Sequence, residues 1–313
     1  MPDFTLDTPH GLISITDTGL KNDAPTLLLL HGNSSSSKIF RHMLESPTIT
    51  NQYRVIAFDY PSHGASSNAL NPAHDYTQRG YAELAVHILK HLCIASVVAM
   101  GWSLGGHVAL EMVPLLKQGR AESEESEVKL KGLVLTGTPP ASGWEQCRKG
   151  FRIPLGDKEK GEENLMAKVH WTEEQAEQIV RMSAAGGKEE LFEDWMVTDA
   201  LRVDGRARMV MFNAMMNGDG CDQVGIVETE DVPVAVINGA DEPFIDLDYI
   251  DGLRWKSLWR GHSVRMSRLK HTPFWEDPKG YEGVLVEFLQ DCGCDDSKAF
   301  EQRKDSKGNG SEI

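Results

Sequence analysis

The segment Gly101-Trp102-Ser103-Leu104-Gly105-Gly106 sets one serine among three glycines. It follows the apolar run ASVVAM and precedes HVALEMVPLL, whose apolar residues recur at helical spacing. A tight strand-to-helix turn needs small neighbours and lifts the serine hydroxyl clear of the sheet. The first amides of the following helix then point to where negative charge would develop. Such a serine is a nucleophile if a base takes its proton and an acid orients that base. The alternative is packing alone, in which small residues let a helix lie close on a sheet.

The base and the acid are sought after later strands, on loops at the carboxyl ends of the sheet. The run VPVAVING leads into Asp241 and Glu242, either of which could be the acid. The run SVRMSRLK leads into His271. The order serine, acid, histidine is the one expected for this layout. Other histidines fit less well. His262 starts the run that ends at His271, and at ~3.3 Å per residue it belongs at the far end of the sheet. His87 and His91 are four apart but lack an H-E-x-x-H pattern and a third ligand, so they read as a surface pair. His31 and His63 lie in glycine-containing turns and read as structural. Asn33 follows His31-Gly32 on a loop after LLLL. Its backbone N–H is the candidate to pair with that of Leu104 in an oxyanion hole. Trp102, Phe40 and Phe244 flank these positions and read as substrate-lining or packing residues. The chemistry calls for no metal and no organic cofactor.

The elements needed to hold these groups are legible. Residues 3–19 read as a hairpin. Six apolar runs then alternate with helical patterns, ending in LLLLHG, VIAFDY, VVAMGW, LVLTG, VAVING and RMSRLKH. Continuous apolar runs suggest strands buried on both faces, and their alternation with helices suggests a mostly parallel sheet. Residues 139–228 break this rhythm with helical patterns alone and read as a cap inserted into a core made of 1–138 and 229–292. Trp144, Trp171 and Trp195 of the cap read as core, seam or pocket residues. The charge-rich 117–131 reads as a solvated excursion, and 293–313 as a disordered tail.

A formal net charge of -15 over 313 residues argues against nucleic-acid and anionic-membrane partners. The five cysteines are scattered and form no disulfide framework. With no signal pattern at the start and no apolar run near the ~18 residues of a membrane span, the expectation is a cytoplasmic chain with reduced thiols.

The stretches DYPSHGAS, GWSLGG, NGADEPF and KHTPFWEDP, with the His31-Gly32 loop, resemble the α/β-hydrolase superfamily. More narrowly, HGNSSSSKIF, GWSLGGHVALEM, TGTPP, TDALRVDGRARMVMF and INGADEPFIDLDY resemble the metal-independent α/β-hydrolase type of N-acyl-homoserine lactonase. The resemblance runs from residue 31 to about 275, weakens through 145–190 and is absent from 117–131 and the tail. It implies an α/β-hydrolase fold with an eight-stranded, mostly parallel sheet and a helical cap. It implies Glu242 as the acid, with Asp241 second. It also implies quorum-quenching hydrolysis of a small lactone through an acyl-enzyme, by a monomer or weak dimer. Rival readings are a carboxylesterase or a hydrolase of another lactone or carbon–carbon bond, and, from another class, a ligand receptor that turns over slowly.

Overall fold

The computed structural model describes residues 3–122, 128–152 and 164–293. Its strands are β1 (Asp3–Thr8), β2 (Gly11–Asp17), β3 (Thr26–Leu30), β4 (Val55–Phe58), β5 (Ser96–Trp102), β6 (Lys129–Thr136), β7 (Val234–Gly239) and β8 (Val264–Met266). They form one sheet in the order β1-β2-β4-β3-β5-β6-β7-β8. β1 and β2 are an antiparallel hairpin, β2 joins β4 antiparallel, and the remaining pairings are parallel. This is the α/β-hydrolase arrangement that the sequence suggests.

Side chains of a strand alternate between faces, so a run without polar residues must be covered on both. The leucines of β3 obey this. Leu28 and Leu30 join one apolar layer with Leu84 and Ile88 of the helix Gln78–His91 and Val108 and Met112 of the helix Leu104–Glu122. Leu27 and Leu29 join the opposite layer with Leu285, Phe288 and Leu289 of the helix Pro278–Gly293.

The joint between β5 and its helix is unusually tight. A Cβ placed on Gly105 would lie 1.9 Å from the Leu30 carbonyl oxygen at the end of β3. A real Cβ needs over 3 Å, and the obstacle is backbone in a buried strand. Gly105→Ala is therefore expected to cost about 3 kcal/mol or more in urea unfolding, an overpacking effect at the top of its usual range. A cost below about 1 kcal/mol would show that the helix can lift away freely.

Between β6 and β7 the described chain is helical: Trp144–Gly150, Glu173–Met182, Asp194–Arg202, Gly205–Asn217 and Gln223–Thr229, with short 3-10 turns. Polar ties fasten these helices to the loops above the sheet. Ser36 Oγ donates to Asp199 Oδ2 at 2.6 Å, and Lys38 reaches the other oxygen at 3.2 Å. Arg41 makes a two-pronged pair with Glu193, and Arg202 donates to the carbonyls of Ser62 and Ser66. Trp171 and Trp195 are half-buried at this seam, whereas Trp144 is 45% exposed and belongs to neither core nor seam.

Two boundaries differ from expectation. The helix that begins at Leu104 continues to Glu122, and β6 starts at Lys129, so the ends of the 117–131 stretch are regular structure. Its middle, 123–127, and the tail from 294 lie outside the described residues. β8 is only three residues long. Arg268 adopts a left-handed backbone (φ 63°), which turns the chain before it reaches His271.

His107, on the same helix as Leu104, is buried and bonded through Nδ1 to Gln223 Oε1 at 2.8 Å. Burial pushes its pKa down to about 4. The unfolded imidazole, near 6.5, then binds a proton that the folded one refuses, so stability falls as pH drops through this window. For His107 alone the loss by pH 4 is about 3 kcal/mol. Urea midpoints of the wild type and His107→Gln at pH 7 and pH 4 should show a shallower loss in the variant. Equal losses would remove His107 as a source of acid sensitivity.

Candidate active site

Ser103 lies between the last residue of β5 and the first residue of the helix Leu104–Glu122. Its φ is 54°, a left-handed conformation that costs a non-glycine residue about 1 kcal/mol or more. The turn is held from both sides. The Ser103 N–H donates to the Thr136 carbonyl at 2.8 Å, and Thr138 Oγ1 donates to the Ser103 carbonyl at 2.7 Å. Ser103 remains half-buried while Trp102 and Leu104 on either side are buried. A strained serine with solvent access between two buried neighbours is the posture a nucleophile requires.

Glu242 and His271 meet on the loops after β7 and β8. His271 Nδ1 lies 2.8 Å from Glu242 Oε2, and the other carboxylate oxygen accepts the Phe244 N–H at 2.9 Å. Both side chains are almost fully buried, at 5% and 1% exposure. A carboxylate fixed by a backbone amide presents its second oxygen to Nδ1 in one orientation, which leaves Nε2 as the free ring nitrogen. Asp241, next door, is exposed, with its backbone tied to Leu269.

The strand ends bring this pair beside the serine turn. Trp102 Nε1–H donates to the His271 carbonyl at 2.9 Å, so the residue preceding Ser103 anchors the histidine loop. The 136–138 segment that holds Ser103 also packs on the imidazole: a Cβ on Gly137 would lie 2.6 Å from His271 Cε1. Asn238 Oδ1, at the end of β7, accepts the Gly137 N–H at 2.7 Å and keeps that segment in place. Phe244 packs edge-on against the His271 ring, with centroids 4.8 Å apart.

Asn33 sits on the loop after β3, whose first carbonyls, of Leu30 and His31, lie against Gly105 in the first turn of the helix that starts at Leu104. Leu104, as the first helical residue, has an N–H with no intrahelical acceptor. The loop is shaped by His31, which is fully buried. The Tyr60 N–H donates to its Nε2 at 3.1 Å, so Nδ1 carries the proton and bonds the Gly32 carbonyl at 2.8 Å. Burial lowers the pKa of His31, and that of His63 more strongly, and both histidines serve as neutral frame residues. His262 is exposed at the start of β8, and of the pair His87 and His91 the first is half-buried and the second exposed.

The three aromatic candidates differ. Trp102 and Phe244 contact the His271 ring. Phe40 has no exposed surface and packs on Phe274, which in turn packs on Trp102, so it is a buried packing residue rather than a substrate wall. Arg208 is an element the sequence reading passed over. It is buried, 4.1 Å over the Trp171 ring, and bonds the carbonyls of Lys168 and Val169. Its guanidinium is 3.4 Å from Ser34 Oγ, beside Asn33, and burial pushes its pKa down to about 10. A lone arginine within ARMVMFNAMM was the available signal.

This assembly defines a class. The family description "alpha/beta hydrolase fold" matches residues 25–153. Over nearly the whole length, the chain is similar to the solved N-acyl homoserine lactonase AidH: 34% identity, 93% of this chain and 97% of that one, with a TM-score of 0.80 in a variant complexed with N-hexanoyl homoserine. A second AidH variant, complexed with N-hexanoyl homoserine lactone, gives 34% identity and a TM-score of 0.81. The magnesium-chelatase 30 kDa subunit of Rhodobacter capsulatus is 38% identical over 99 residues, which cover 31% of this chain and 33% of that protein. The hydrolase YugF of Bacillus subtilis is 35% identical over 85 residues, covering 27% and 30%. The chain thus spans about a third of the length of the curated relatives it matches. It belongs to the α/β-hydrolase fold family and is a hydrolytic enzyme of that family.

Proposed function

We propose that this enzyme opens the lactone ring of N-acyl-homoserine lactones through an acyl-enzyme on Ser103. The observation that carries the reading is the buried Glu242–His271 pair, 2.8 Å apart, beside a serine in a strained turn. The substrate class rests on the full-length similarity to AidH.

In this mechanism His271 Nε2 takes the Ser103 proton as Oγ attacks the lactone carbonyl. The oxyanion is held by the N–H groups of Asn33 and Leu104, each worth ~10²–10³ in kcat. The ring C–O bond breaks, and His271 returns the proton to the departing alcohol, which stays tethered to the acyl group. His271 then activates a water, whose attack releases the hydroxy acid and frees Ser103. Glu242 holds the tautomer and stabilises the imidazolium. Because the tethered alcohol can re-close the ring, water must reach the acyl-enzyme faster than the alcohol returns. We assign the helices of 139–228 the role of a cap that holds the acyl chain, with Trp102 and Phe244 as walls nearest the chemistry.

The test is chromatography with mass detection on short- and long-chain N-acyl-homoserine lactones, with a chelator present. The expected product is heavier by one water, forms over many turnovers and is ranked by chain length. Cleavage of a simple aryl ester with no lactone opened would replace the lactonase reading with an esterase. Stoichiometric binding without turnover would indicate a receptor.

A further inference from the structure

A cluster of metal-ligating side chains lies away from the serine site, where the β1–β2 turn meets the helices Pro72–Asp75 and Gln78–His91. His10 Nδ1 is 3.0 Å from Asp75 Oδ1, and His74 Nδ1 is 3.2 Å from the same oxygen. One ligand atom from each of these three residues lies within 4.8 Å of the others. The two imidazoles are nearly parallel, 23° apart, with centroids at 6.3 Å.

We propose that His10, His74 and Asp75 form a binding site for one divalent transition-metal cation of the Zn²⁺ type. Ligands at ~2.0–2.1 Å in a tetrahedron are ~3.3–3.4 Å apart. The two separations to Asp75 Oδ1, 3.0 and 3.2 Å, are a few tenths of an ångström shorter, and the two imidazole ligand atoms lie within 4.8 Å of each other, so modest rotation of both rings brings the three atoms to that spacing. Two imidazoles and one carboxylate suit Zn²⁺ and its transition-metal neighbours rather than Mg²⁺ or Ca²⁺, which prefer oxygen. Water would complete the fourth position.

The surroundings favour a metal over a plain hydrogen-bonded trio. A His whose Nδ1 binds a metal characteristically donates its Nε2–H to a carboxylate that fixes the ring. His74 Nε2 lies 3.3 Å from Glu83 Oε2, and Glu83 is itself held by Arg79 at 2.9 Å. Asp75 is steadied in the same way, since its Oδ2 accepts the Asn71 N–H at 2.8 Å and leaves Oδ1 to face both rings. The His10 backbone N–H is bound by Thr8 Oγ1 at 3.1 Å. The ligands are therefore positioned by partners that are not themselves ligands. A bound cation would pin the hairpin turn to the 72–91 helices. Tyr76, beside them, donates to Asp204 Oδ2, the cap of the helix Gly205–Asn217, so the pin reaches the edge of the inserted helices.

The test is calorimetric titration of Zn²⁺ into the full chain after removal of metal with a chelator. One Zn²⁺ per chain is expected, with a Tm rise of about 5 °C at a hundredfold excess over Kd. His74→Ala, at an exposed position, should fold normally by circular dichroism and bind at least about 100-fold more weakly, and Glu83→Gln about 10–100-fold more weakly. His91→Ala should bind like the wild type, and Mg²⁺ and Ca²⁺ should give no saturable heat. Absence of saturable Zn²⁺ binding, or binding by His74→Ala as tight as wild type, would overturn the site. Neither result touches the serine mechanism, because hydrolysis is measured separately in chelator.

Discussion

Ser103→Ala is expected to lower kcat on the cleaved substrate by about 10⁶-fold, since a nucleophile, its base and its acid act as a unit. The same variant should unfold at the urea midpoint of the wild type. Ser103 is half-buried, and alanine inherits the same left-handed backbone strain (φ 54°) without adding a new clash. Activity lost with stability kept separates a chemical role from a structural one. If the variant retained more than about one per cent of wild-type kcat, Ser103 would be a packing residue of the turn, the alternative its glycine neighbours allow.

Glu242→Gln should cost about 10⁴-fold in kcat, because an amide can donate to Nδ1 and hold the wrong tautomer of His271. Gln is nearly isosteric, so the Phe244 N–H can still be accepted by the side-chain oxygen. The neighbouring Asp241→Asn, at an exposed carboxylate, should change kcat less than about twofold. The pair is informative because the two acids are adjacent in the chain and differ in burial. Comparable losses in both variants would mean that the His271 partner is not settled by the 2.8 Å contact.

Much of this frame was legible in the sequence because apolar runs of five to seven residues between turn signals and helical patterns fit strands covered on both faces. TLLLL and SVVAMGW became β3 and β5, and the serine turn falls where β5 ends. The choice between Asp241 and Glu242 was not legible from residue types, since it depends on which of two consecutive side chains turns inward. The resemblance pointed to Glu242, and Glu242 is the one buried against His271. β8 read too long because RMSRLKH has strand-like composition, while the left-handed turn at Arg268 is set by tertiary context. The helical pattern after Leu104 runs through lysine and glutamate to Glu122, so polarity alone was a poor sign of its end. Trp144 shows the converse, a large apolar side chain left in solvent. The His10–His74–Asp75 cluster joins residues 65 positions apart, and no spacing rule reaches across a hairpin and a strand crossover.

Ser103 is expected to carry the acyl group during lactone opening. Rapid quenching of enzyme with an N-acyl-homoserine lactone, followed by intact-protein and peptide mass spectrometry, measures this directly. Ring opening on serine adds the whole lactone, because the leaving alcohol stays attached. A transient adduct of that mass is expected on the peptide containing Ser103 and is absent in Ser103→Ala. Steady lactone opening with no adduct, or with an adduct on another peptide, would rule out acyl transfer to Ser103.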